Sequence, residues 1–109
     1  MTIGAVVVLA GDCDRPGSLQ EQNECATLRL RAAERELAAL YGALLDSEDK
    51  DLAKAVREAQ EAWMRWREAE GRLAAMTVND KTLAQWAQKS QEAQMTEDRI
   101  KDLRVLTGN

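Results

Sequence analysis

Apolar residues recur at Ala26, Leu30, Ala33, Leu37, Leu40 and Leu44, in alternating steps of four and three that return side chains to one stripe of an α-helix. This pattern predicts a first helix of about seven turns. Ser18 follows the turn-like Arg15-Pro16-Gly17 and stands three places before Glu21, the arrangement of an N-cap with its capping box. The polar run Asp46-Ser47-Glu48-Asp49-Lys50-Asp51 ends the stripe, and Ser47 or Asp49 is suited to cap a second helix. That helix is expected to run from about Asp49 to Met76, with Leu52, Val56, Ala59, Trp63, Trp66 and Leu73 on its packed stripe. Glu70 falls where the same step calls for an apolar side chain. A buried carboxylate needs a partner or water, and Arg67 and Arg99 are the candidates. Thr77-Val78-Asn79-Asp80 reads as a second loop, with Asn79 or Asp80 capping a third helix to about Leu106, ahead of Gly108. The third stripe, Leu83, Trp86, Ser90, Ala93, Glu97, Ile100 and Leu103, is interrupted by Ser90 and Glu97, so this helix is expected to pack least tightly. Short loops place successive helices side by side. The fold class predicted is all-α, an antiparallel three-helix bundle made of a long helical hairpin plus a third helix.

Composition narrows what such a bundle can do. A chain of 109 residues makes one small domain, without room for both a scaffold and a deep cavity. It carries 15 basic and 19 acidic residues, for a net charge of -4. That sign does not attract nucleic acid or anionic membrane, and it favours a cationic protein partner. There is no histidine, which removes the usual general base, and two cysteines twelve positions apart match no zinc spacing. No cofactor or metal is expected. Glycoside chemistry needs only two acids, but they must flank a sugar-binding cleft that a slender bundle lacks, so the chain reads as a binder and not an enzyme. Ile3 to Ala10 form an apolar run too brief for stable membrane insertion. Ahead of polar Gly11-Asp12 it has the form of the end of a secretory leader, although no basic segment precedes it. Residues 1 to 11 are therefore read as a leader remnant and 12 to 109 as the domain, the alternatives being a lipoprotein start, a short buried strand or a tail.

Four motifs lie on these helices: Asn23-Glu24-Cys25-Ala26, Glu34-x-x-Leu37-x-x-x-Tyr41, Gln60-x-x-Trp63-x-x-Trp66-Arg67-Glu68-Ala69-Glu70, and Thr96-x-x-Arg99-x-x-x-Leu103. In this order and spacing the chain resembles the lysozyme inhibitor LprI family from about Cys13 to Leu106. Many relatives carry further cysteines after the tryptophan motif and before the last one, where this chain has Gly71 and Gln91. The resemblance implies a small, exported helical protein in the periplasm or secreted, whose partner is a lysozyme-type muramidase. It also bears on the cysteines, which on their own are either free thiols or a pair. In an exported small domain a Cys13–Cys25 disulfide is favoured. The joint absence of the other two, read as partners across the second and third helices, leaves 13–25 as the consistent bridge.

Trp63, Trp66 and Trp86 at helical spacing are expected in the core, and Arg67 with Glu70 as an internal ion pair. Asp46, Glu48, Asp49 and Asp51, opposed only by Lys50, lack the pattern of a calcium loop. They make an acidic hairpin tip that would speed approach to a basic protein. Lys50 and Lys81 in the two loops are candidates for entry into a lysozyme cleft. The competing reading is a non-inhibitory periplasmic module that docks another protein, or self-associates through the gapped stripe of the third helix. The oligomeric state is left open.

Overall fold

The computed structural model describes residues 13–15 and 17–108, and the expected leader remnant lies outside them. Three helices of equal length account for nearly all of these residues: α1 Leu19–Leu45, α2 Lys50–Met76 and α3 Lys81–Thr107. Their ends follow local chemistry. Ser18 Oγ accepts from the Glu21 amide at 3.0 Å while Glu21 Oε1 accepts from the Ser18 amide at 3.2 Å, which completes the capping box. Asp49 caps α2 by accepting from the amides of Asp51 and Leu52. Asp80 caps α3 by accepting from the Leu83 amide at 2.8 Å. Gly108 ends α3 with φ of 79°, a left-handed conformation that costs glycine little.

The chain runs up, down and up, with α1 and α3 parallel and α2 antiparallel to both. Asn23 reaches Gln85, Arg29 reaches Glu97 and Glu36 meets Arg104 along the α1–α3 seam. Arg67 meets Thr96 and Gln60 meets Arg99 between α2 and α3. The closest packing is between α1 and α3, and α1 and α2 scarcely touch. The helical hairpin is thus open, with α3 laid along both of its arms.

This arrangement reverses the expectation that α3 packs least. Its buried residues, Ala93, Met95, Thr96, Ile100 and Leu103, spread over nearly half its circumference at about 100° per residue. One line faces α1, and an adjoining line with Glu92, Thr96 and Arg99 faces α2. That second line is polar, so hydrophobic spacing cannot reveal it. Glu97 does not gap the first line, because Arg29 covers it.

In α1 the expected stripe is the packed one: Ala26, Ala33, Leu37 and Leu44 are buried, with Leu30 and Leu40 half-buried. In α2 the buried line is instead Ala53, Val56, Gln60, Trp63, Arg67 and Gly71. Relative to the expected stripe the helix is turned, so Leu52, Trp66 and Leu73 face outward, Trp66 being 56% exposed. Large apolar side chains, Leu37, Leu44, Val56, Trp63, Ile100 and Leu103 among them, fill the core toward the first loop. Toward the other end the buried positions are small, Ala26, Gly71 and Ala93, and Gly71 brings α2 close to α3. A Cβ at Gly71 would stand 2.4 Å from Glu92 Oε2. The Cys13–Cys25 disulfide, with Cα atoms 5.4 Å apart, staples the chain at this thinner end.

Candidate functional site

The open hairpin leaves a groove of about 220 Å³ between α1 and α2, lined by Glu34, Leu37 and Tyr41 on one side and Gln60, Trp63 and Arg67 on the other. The second and third sequence motifs therefore meet here, across the open side of the hairpin. Below the groove the fourth motif closes the arrangement from α3. Arg67 Nη1 donates to Glu34 Oε2 and to Thr96 Oγ1, each at 3.1 Å. Thr96, wholly buried, donates in turn to the Glu92 carbonyl at 2.6 Å. Arg99 Nε donates to Gln60 Oε1 at 3.2 Å. The Trp63 ring has the guanidinium of Arg67 at 5.3 Å and that of Arg99 at 6.0 Å from its centroid.

Arg67 is only 6% exposed. A guanidinium out of water costs several kcal/mol unless charge and hydrogen bonds are returned to it. Glu34, Thr96 and the Trp63 face supply that return, while the buried Arg67 Nε has no partner among the described residues. The network fixes the separation of α1 and α2 and hence the width of the groove. Its walls offer an apolar lining with carboxylates at the rim. Among the described residues no group of acids, cysteines or histidines is arranged to hold a metal.

Several expected roles change. Glu70 does not enter the core; it is half-buried and forms no ion pair among the described residues, while Arg67 takes the buried charged position and pairs with Glu34. Trp63 is a core residue as expected, Trp86 is half-buried, and Trp66 is outside the core because α2 presents Arg67 inward in its place. Asn23 Nδ2 donates to Gln85 Oε1 at 3.2 Å, which ties the first motif to α3. Glu24 lies on the surface, accepting only from Gln20. Beside them a second hollow of about 380 Å³ lies between the disulfide, Arg29, Trp86 and Ser90.

Two α1–α3 ion pairs escaped the sequence reading because each joins residues 68 apart. Arg29 grips Glu97 with two hydrogen bonds, of 2.6 and 2.9 Å, and also donates to Gln94. The hydrogen bond from Arg29 holds the Glu97 carboxyl below its ordinary range, with partial burial opposing, and Arg29 is raised for the same reason. Arg104 pairs with Glu36. A retrospective signal exists for the first: Glu97 is the one charged residue on the α3 line Leu83, Trp86, Ser90, Ala93, Glu97, Ile100 and Leu103.

The two loops lie at opposite ends of the bundle. Asp46, Glu48, Asp49, Lys50 and Asp51 are all exposed and share one tip, where Asp49 is engaged in capping α2. Lys81 opens α3 at the other end, about 40 Å away by the length of a 27-residue helix. One narrow cleft cannot receive both lysines.

No helix among the described residues is long and apolar enough to cross a membrane. No curated protein and no solved structure gives a significant match. A family model described as lysozyme inhibitor LprI matches residues 13–103, a span that contains the disulfide, the groove and both loops. The chain belongs to the lysozyme inhibitor LprI family.

Proposed function

We propose that the protein is exported and binds a lysozyme-type muramidase, blocking its action on the cell wall. The family match over residues 13–103 carries this reading. Several features support it. A disulfide suits an oxidising compartment outside the cytoplasm. The net charge of -4 and the acidic tip favour approach to a cationic enzyme. Lysozymes act through two carboxylates in a cleft, and Lys50 stands on the tip among the steering acids, whereas Lys81 is at the far end. Lys50 is therefore the residue we assign to the enzyme's acids, with Asp46, Glu48 and Asp51 guiding the encounter. The groove over Arg67 belongs to the support of this tip: it holds α1 and α2 apart, and the tip is their junction.

The deciding experiment is clearance of a cell-wall suspension by lysozymes of several classes, with and without the purified, disulfide-intact protein. Slowed lysis at stoichiometric amounts is expected. Lysis unchanged at large molar excess over every enzyme tried rejects inhibition and leaves a module that docks some other protein. Fractionation of producing cells tests export, and an uncleaved chain with reduced thiols in the cytosol would reject it.

A further inference from the structure

The outward face of α2 carries a second apolar line, independent of the core. From Leu52 to Met76 it advances in alternating steps of three and four, the spacing of a heptad seam, and each of its positions is exposed. Leu52, Trp66, Leu73 and Met76 are its large members, with Leu73 59% and Met76 82% exposed; alanines occupy the places between. The line lies about 120° around α2 from the buried one. It is on the arm of the open hairpin that α1 does not cover.

Charge identifies what this face accepts. Along one flank, every seventh residue, stand Asp51, Glu58, Arg65 and Arg72, all exposed and none in an ion pair among the described residues. The order is two acids followed by two bases, so the flank is complementary to itself when reversed. We propose that a second copy of the chain docks here, with its α2 antiparallel about a two-fold axis. In that register Asp51 lies beside Arg72 of the other copy and Glu58 beside Arg65, twice each by symmetry. Size matches as well as charge. Trp66 falls opposite Ala55, Leu52 opposite Ala69, and Ala59 opposite Ala62 at the axis, so that large side chains meet small ones and the helices approach closely. Asp51, one of the acids of the tip, lies within this contact, so the tip of each copy sits at the end of the paired segment.

This dimer does not depend on lysozyme binding, and its test is separate. Sedimentation and light scattering of the purified, disulfide-intact chain across micromolar to millimolar concentration should give twice the monomer mass. Trp66→Glu should give a monomer of unchanged helicity, since the side chain lies outside the core. Glu58→Arg and Arg65→Glu should each weaken the dimer about tenfold, because either places like charges together at two symmetric contacts. Mixing these two variants should restore near wild-type affinity, every contact again joining opposite charges. A wild-type chain that stays monomeric at the highest concentration overturns the proposal. So does a dimer that survives Trp66→Glu, or a mixture that associates no better than its components.

Discussion

Arg67 is the residue on which the three helices converge, with α2 as its origin, Glu34 of α1 and Thr96 of α3 as its partners. Replacing it with alanine is expected to cost about 2–4 kcal/mol, since Thr96 and Glu34 lose their shared partner in a packed site. Arg67→Lys should recover little, because one ammonium cannot span both partners and cover the Trp63 face. Glu34→Gln should be milder, about 1 kcal/mol or less, as that carboxylate is 43% exposed. Urea denaturation midpoints check this ranking, and an Arg67→Ala protein with the wild-type midpoint would refute it. Glu97 provides a pH test. Its pKa is lowered in the folded state, so its contribution is fully present above the unfolded value of about 4.3. The contribution fades as pH falls through the lower folded value. Arg29, already raised, remains protonated throughout. Glu97→Gln should therefore be less stable than wild type at neutral pH, and the difference should shrink on acidification below about pH 4. A constant difference would remove the ion pair from the account.

At the scale of elements, the disulfide reinforces the end of the bundle whose buried positions are small. Closing this short loop is worth about 3 kcal/mol by chain entropy, and replacing Cys13 and Cys25 with serine should lower stability by about that amount. Hydrogen exchange should then accelerate mainly in the first turns of α1 and α3, with the Leu44, Val56 and Leu103 region protected. Uniform acceleration would mean that the staple serves the whole bundle. The same elements show what could be read in advance. The α1 stripe, the three caps and the glycine stop follow local rules, and they appear where those rules put them. The rotation of α2 does not, because that helix has two lines to choose from and the more apolar one, through Leu52, Trp66 and Leu73, faces outward. Gln60 and Arg67 are drawn inward by Arg99, Glu34 and Thr96, partners between 29 and 39 residues away and so invisible to a pattern confined to one helix. For the site, the motifs marked the groove residues, while their convergence required knowing that α3 lies between the arms.

For the whole molecule, the distribution of charge sets how partners are met. The acidic tip is an exposed group at one pole, so under the proposed function its effect would fall on encounter more than on the bound state. Reversing Asp46 and Glu48, with Asp51 left for the proposed dimer contact, should slow association with a cationic lysozyme at low ionic strength, and the difference should vanish as salt shortens the screening length. Rates that ignore both the substitutions and the salt would dismiss steering. Leaving Asp49 unchanged in this variant preserves the α2 cap.

The position of α3 between the other two helices has a consequence for biosynthesis. A growing chain that has released α1 and α2 holds two arms that hardly touch, and the residues that unite them, Thr96, Ile100 and Leu103, arrive only with α3. Cooperative folding must therefore wait for α3, which leaves the two arms loosely associated until that helix emerges to lock them.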